Sequence, residues 1–291
     1  MTKILTLRRG DLRFTALAVG AGPVVLMLHG FPDGPETFTS QMQTFADAGY
    51  GAVAITMRGY EPASQPADED YHVIRMAEDV VAAINELRVE RVHLVGHDWG
   101  ASVAFATAGL APSRIASLTA IAVPHPARFA ALLTVDAAQM ARSGYMMEFQ
   151  SLDAEAMIAA DTFAYLETLW HRWSPGWATP AAALRDMKQR FAQPGVPTAT
   201  LAWYRQAFDA ASPAGQAGAA LYAKPVAVPT LGLCGSEDGC ISAEVFRAAM
   251  LPEDFPAGLA CHTIQGAGHF VHREAPELVN QLILGWLATH R

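Results

Sequence analysis

Residues 92–104 read VHLVGHDWGASVA. The first four are a short apolar run of the kind that forms a buried strand, and Ala101, Ala104 and Ala108 open a small-residue helix able to lie close on a sheet. Between them Gly96 and Gly100 flank His97-Asp98-Trp99. Glycines on both sides of one reactive residue relieve the crowding of a sharp strand-to-helix turn. That is the G-x-Nuc-x-G pattern of a nucleophile elbow, with aspartate where serine usually stands. The N-terminus of the following helix favours an ionised carboxylate. The plainer alternative is a helix N-cap aspartate, a frequent use of that residue.

Outward from this point, apolar runs at 24–28, 52–55, 118–123 and 228–233 also read as buried strands. Amphipathic helices separate them. One spans 37–48 with Phe38, Met42 and Phe45 on a face; another spans 73–87 with Val73, Met76, Val80, Ile84 and Leu87. A last one spans 276–288, begins at Pro276 and turns Leu278, Leu282, Ile283, Trp286 and Leu287 inward. Strands alternating with helices predict an α/β chain with a mostly parallel central sheet and helices on both faces. After Pro124-His125-Pro126 the alternation stops, and it resumes after Lys224-Pro225. The expected organisation is a core of residues 1–126 and 223–291, interrupted by a helical cap at 127–222. The Ala/Gly-rich stretch 210–220 reads as a loop or a poor helix.

Three further segments bear on the elbow. His29-Gly30-Phe31-Pro32 closes the run 24–28; Gly235-Ser236-Glu237-Asp238 follows the run 228–233; Gly266-Ala267-Gly268-His269 precedes the last helix. The order nucleophile, acid, histidine is that of the α/β-hydrolase fold, whose oxyanion hole uses backbone N–H groups after the first of these strands and after the nucleophile. Here those belong to Phe31 and Trp99. Asp238 is the candidate to orient His269, with Glu237 as the neighbouring alternative. No carboxylate follows 118–123 to compete. His269, His272 and Glu274 form a weak metal pattern, lacking helical spacing and a further clear ligand. His97 is expected to point away from the nucleophile's side, and His93 and His262 to be strand residues.

With HGFP, GHDWG, GSEDGC and GAGHF in this order, the chain resembles the α/β-hydrolase-fold epoxide hydrolases, a branch that also includes haloalkane dehalogenases. The resemblance covers essentially the whole chain. It implies Asp98 as nucleophile, His269 as base and Asp238 as its partner. It also implies two cap tyrosines that hydrogen-bond the epoxide oxygen. Tyr145 stands four residues before Phe149-Gln150, and Tyr204 lies in Trp203-Tyr204-Arg205, as in that family. Packing alone is the other reading of both. The implied substrate is an apolar epoxide, opened to a vicinal diol with water and no metal or organic cofactor, in a pocket lined by Phe31, Trp99, Met146, Met147 and Trp203. Dehalogenation would share Asp98, Asp238 and His269, with Trp99 as a halide donor. Phe31 stands where many dehalogenases have a donating asparagine, and His171 and Trp173 match a halide pocket only loosely. A non-catalytic binding protein is the third reading, since folds do not guarantee activity.

Composition narrows the class. The 291 residues, 52% of them hydrophobic, suffice for a large core, yet no apolar run reaches the length of a membrane span. Net charge is −8 without a Lys/Arg cluster, which argues against a nucleic-acid partner. The N-terminal MTKILTLRRGD lacks the features of a signal peptide, and Cys234, Cys240 and Cys261 cannot form a complete pairwise framework. The expectation is a cytoplasmic enzyme with a small-molecule partner.

Overall fold

The computed structural model describes residues 2–290. Its strands are β1 (Lys3–Arg9), β2 (Leu12–Gly20), β3 (Val24–Leu28), β4 (Gly51–Ile55), β5 (Val92–His97), β6 (Ile115–Ile121), β7 (Thr230–Gly235) and β8 (Leu259–Ile264). They form one sheet in the order β1-β2-β4-β3-β5-β6-β7-β8. β2 pairs antiparallel with β1 and with β4; every other pairing is parallel. The central strands are buried along their length, as strands covered on both faces must be.

Before the insertion the core helices are α1 (Thr39–Asp47), α2 (Val73–Glu86) and α3 (Trp99–Leu110). The chain from β6 to β7 carries only helices: α4 (Pro126–Leu132), α5 (Ala137–Arg142), α6 (Tyr145–Glu148), α7 (Ala154–Trp173), α8 (Ala181–Phe191), α9 (Val196–Ala207) and α10 (Pro213–Tyr222). The core then resumes with α11 (Ala243–Ala248), α12 (Val271–Glu274) and α13 (Pro276–Thr289).

Alternate residues of the central strands feed two cores. Leu26, Leu28, Leu94 and Leu118 meet Met76, Val80 and Ile84 of α2 and the alanines of α3. Val25, Met27 and Val95 meet Met42 and Phe45 of α1 and Ile283 and Leu287 of α13. Each such aliphatic side chain contributes about 1.5–3 kcal/mol when taken fully from water.

Two sequence expectations need correction. Leu278 is 45% exposed and the inward stripe of α13 is Val279, Ile283 and Leu287, because residues four apart share a helix face and Leu278 lies about 100° round from Val279. Residues 210–220 mostly belong to a true helix, α10, whose first turn is capped where Ser212 Oγ accepts from Gly215 N–H at 3.0 Å. α10 packs on α2 and α3, with Leu221 buried. No helix among the described residues is long and apolar enough to cross a membrane.

Candidate active site

Asp98 sits between β5 and α3 with φ +53° and ψ −123°, a backbone conformation that an L-residue adopts only under constraint. Its flanking glycines explain how the turn closes. A Cβ on Gly96 would lie 2.2 Å from the Gly100 carbonyl oxygen, and one on Gly100 would lie 2.0 Å from that of Leu28. The carboxylate is held from two sides. Its Oδ1 accepts the backbone N–H of Phe31 at 2.7 Å, and its Oδ2 lies 3.5 Å from His269 Nε2. Trp99 is the first residue of α3, so its backbone N–H has no partner within the helix and points from the same helix end.

His269 is fully buried, and its Nδ1 lies 2.9 Å from Asp238 Oδ2. The other Asp238 oxygen accepts the N–H groups of Cys240 at 2.7 Å and Ile241 at 3.0 Å. Glu237 is exposed and does not share this arrangement. Burial opposes a charge on His269, but the adjoining Asp238 and Asp98 carboxylates outweigh it and raise its pKa to about 10. The two carboxylates thus favour the imidazolium form of the resting ring. His97 lies behind the triad with Nε2 donating to the His269 carbonyl at 3.0 Å, and burial lowers its pKa to about 3. Glu274 bonds Ser174 and the N–H of Gly268, while His272 bonds Thr37, so these two do not join His269 in a ligand set.

A cavity of about 490 Å3 lies between core and insertion. Asp98 and Trp99 line it from the core, and Tyr145 and Tyr204 from α6 and α9. The tyrosine rings are 5.8 Å apart. Burial raises both phenol pKa values well above the usual value, helped at Tyr145 by Cys240 and at Tyr204 by Asp98, so both keep their hydrogens. Tyr204 makes no hydrogen bond of good geometry, with the Trp99 indole as its neighbouring donor; the Tyr145 hydroxyl lies 3.5 Å from Cys240 Sγ. Val123, Phe129, Leu133 and Met146 make the wall apolar.

Trp203 lines the same cavity, but its indole N–H is already given to the Arg58 carbonyl at 3.1 Å. The Phe31 side chain was expected in the pocket and lies outside its lining, packed edge-on against Tyr204, Phe149 and Phe191; only its backbone reaches Asp98. Met147 is 65% exposed, because it follows the inward Met146 by a single helical step. Cys240 was read only as a small buried residue. Its place on the cavity wall, two residues past Asp238, was open to notice in the segment GSEDGC.

Residues 23–276 match the family model described as the alpha/beta hydrolase fold. Epoxide hydrolase 2 of Caenorhabditis elegans is 30% identical, over 96% of this chain and 77% of its own length. The chain belongs to the epoxide hydrolase family of α/β hydrolases. An AB hydrolase superfamily protein of Bacillus subtilis is likewise 30% identical, over 91% of this chain and 90% of its own. The fold of this α/β hydrolase is also that of an epoxide hydrolase from Bacillus megaterium, solved with its product (R)-3-[1]naphthyloxy-propane-1,2-diol. The two superpose with a TM-score of 0.85 at 22% identity, over 98% of this chain and all of the other.

Proposed function

We propose that the chain hydrolyses an apolar epoxide to a vicinal diol through a covalent ester on Asp98. The observation that carries this reading is one cavity with a carboxylate on its core side and two protonated phenols on the opposite side. An epoxide is strained but has a poor leaving group, so ring opening needs a nucleophile in line with carbon and a donor at oxygen. Oδ1 of Asp98 is engaged by Phe31, which leaves Oδ2 to attack. Tyr145 and Tyr204 donate to the ring oxygen as its C–O bond breaks, and a phenol hydrogen passes to the alkoxide.

The ester removes the negative charge of Asp98, and with it part of the field that holds the proton on His269. The ring then loses that proton, which restores the phenol, and takes one from water as the water attacks Cγ of the ester. Oδ1 becomes the oxyanion, between the N–H groups of Phe31 and Trp99; one such donor is worth roughly 3 kcal/mol in related chemistry. Collapse expels the former Oδ2 as the second diol oxygen, which takes a hydrogen from His269. The proton released as the carboxylate re-forms returns the ring to its imidazolium state. Epoxide and water are consumed, and a diol is made.

With enzyme in excess and heavy-oxygen water, the diol of the first turnover is expected to be unlabelled and the label to appear in Asp98. Label in that first diol would sink the ester and mean direct attack by water. Dehalogenation, which would use the same triad, predicts halide release from chloro- or bromoalkanes. A parallel assay for diol and halide separates the two.

A further inference from the structure

Three buried side chains that the mechanism does not use converge behind the triad. Asp33 lies two residues beyond Phe31, His97 beside Asp98, and His272 in α12. Each offers a ligand atom, and the three atoms lie within 4.8 Å of one another. Asp33 is 5% exposed and both histidines 0%. Asp33 Oδ2, His97 Nδ1 and His272 Nδ1 have no hydrogen-bond partner.

The remaining polar atoms of these groups are occupied. A carbonyl only accepts, so His97 Nε2 carries the hydrogen given to His269, and Nδ1 of the neutral ring is a lone pair. Thr37 Oγ1 lies 2.7 Å from His272 Nε2. With His272 Nε2 donating to that hydroxyl, Nδ1 of the neutral ring is likewise a lone pair. Asp33 Oδ1 accepts the Gly34 N–H at 2.9 Å and lies 3.6 Å from the Arg273 guanidinium, so only its Oδ2 is without a partner. Three atoms without a hydrogen-bond partner thus share one small space. Leaving such groups unpaired costs about 1–3 kcal/mol each.

We propose that Asp33, His97 and His272 form a binding site for one divalent transition-metal ion of the zinc class. A carboxylate with two neutral imidazoles is a donor set such ions prefer. Each imidazole is already oriented through its other nitrogen, by a backbone carbonyl or a threonine hydroxyl, as metal-bound histidines usually are. A second cavity, of about 330 Å3, has Asp33, Thr37 and His272 in its wall together with Glu36, Asp186 and Arg190, and shares no lining residue with the substrate cavity. It gives the ion an entry path and a water for the fourth position. Zinc–ligand bonds of about 2.1 Å would put the donor atoms roughly 3.4 Å apart, so the side chains draw inward on binding. The bound ion cross-links the loop that carries Phe31, the strand end that carries Asp98 and the short helix after His269. It touches no reacting atom.

The test uses the full chain, stripped of metal by chelation and titrated with Co2+. One Co2+ per chain is expected, with weak visible bands, no intense near-ultraviolet thiolate band, and displacement by Zn2+. Zn2+ should also raise the melting midpoint. Asp33→Asn and His272→Gln should each weaken binding at least tenfold and abolish the rise, whereas Cys261→Ser, which removes the exposed thiol, should leave both unchanged. Absence of bands at saturating Co2+ overturns the site and leaves a cluster closed around water. Bands that persist in both variants overturn it as well, because the ion then sits elsewhere. Should one variant fail to fold, the other variant and the wild-type titration still decide.

Discussion

Tyr145 and Tyr204 face the same reacting oxygen in the proposed mechanism, which makes their effects separable from packing. Tyr145→Phe and Tyr204→Phe keep the rings and remove only the hydroxyls. Each is expected to lower kcat for epoxide opening by at least tenfold, and the double variant by far more, with circular dichroism unchanged. A double variant that makes diol at the wild-type rate would return both tyrosines to a packing role. His269 belongs to the second step. His269→Gln should form the ester and stop, so mass spectrometry should find Asp98 heavier by the intact mass of the epoxide. A haloalkane would instead add its mass less hydrogen halide. The convergence of Asp98, Asp238 and His269 could be anticipated because each lies in a glycine-bracketed or glycine-led turn just beyond a strand. Phe31 and Met147 were misread because the sequence shows that a residue is apolar, not which way its side chain turns.

Within single elements, the turn from β5 to α3 carries the tightest constraint. At Gly100 an added Cβ would meet the Leu28 backbone, which no side-chain rotation relieves. Gly100→Ala is therefore expected to cost upwards of about 1–3 kcal/mol, the usual range for overpacking, and to lower the melting midpoint accordingly. Activity should fall further than stability, because the same shift moves Asp98 away from the Phe31 N–H. The central strands and the long helices were readable from apolar runs and helical periodicity. β1 and β2 were not read as strands, and β8 only through His262, because they lie toward the sheet edges and expose much of their length; β1 has one buried residue, Leu7. Their mixed composition gives no buried-strand run. α10 read as either a loop or a poor helix because alanine and glycine carry little amphipathic signal, although Ser212-Pro213 marks its start.

For the molecule as a whole, two linked sets of charges govern stability. Arg58 is 3% exposed and pairs with Asp79 through two nitrogens at 2.6 and 2.8 Å, while Asp79 also holds Arg9 of β1 at 2.9 Å. Asp79→Ala leaves the buried guanidinium unpaired and is expected to cost about 3–5 kcal/mol, read by chemical denaturation. The Arg58 carbonyl anchors Trp203 of the insertion, so substrate KM should rise in the same variant. The second set is the triad. His269 titrates near 10 in the folded chain against an ordinary 6.5. The folded state therefore holds a proton that the unfolded chain releases. That contribution is complete below the ordinary value and is lost as pH rises through about 10. The melting midpoint should fall between neutral pH and pH values near 10, and His269→Gln should flatten that part of the profile.

The two phenols come from the helical insertion, whereas the carboxylate, the imidazole and the backbone donors come from the sheet. In the proposed mechanism, recognition of the strained ring and cleavage of the ester are thus assigned to separate stretches of one polypeptide. A chimera that exchanges the insertion for a relative's would inherit the donor's choice of epoxide while keeping its own rate of deacylation. The same division gives selection a free hand: substrate range can drift through the insertion without disturbing the geometry that returns the enzyme to its starting state.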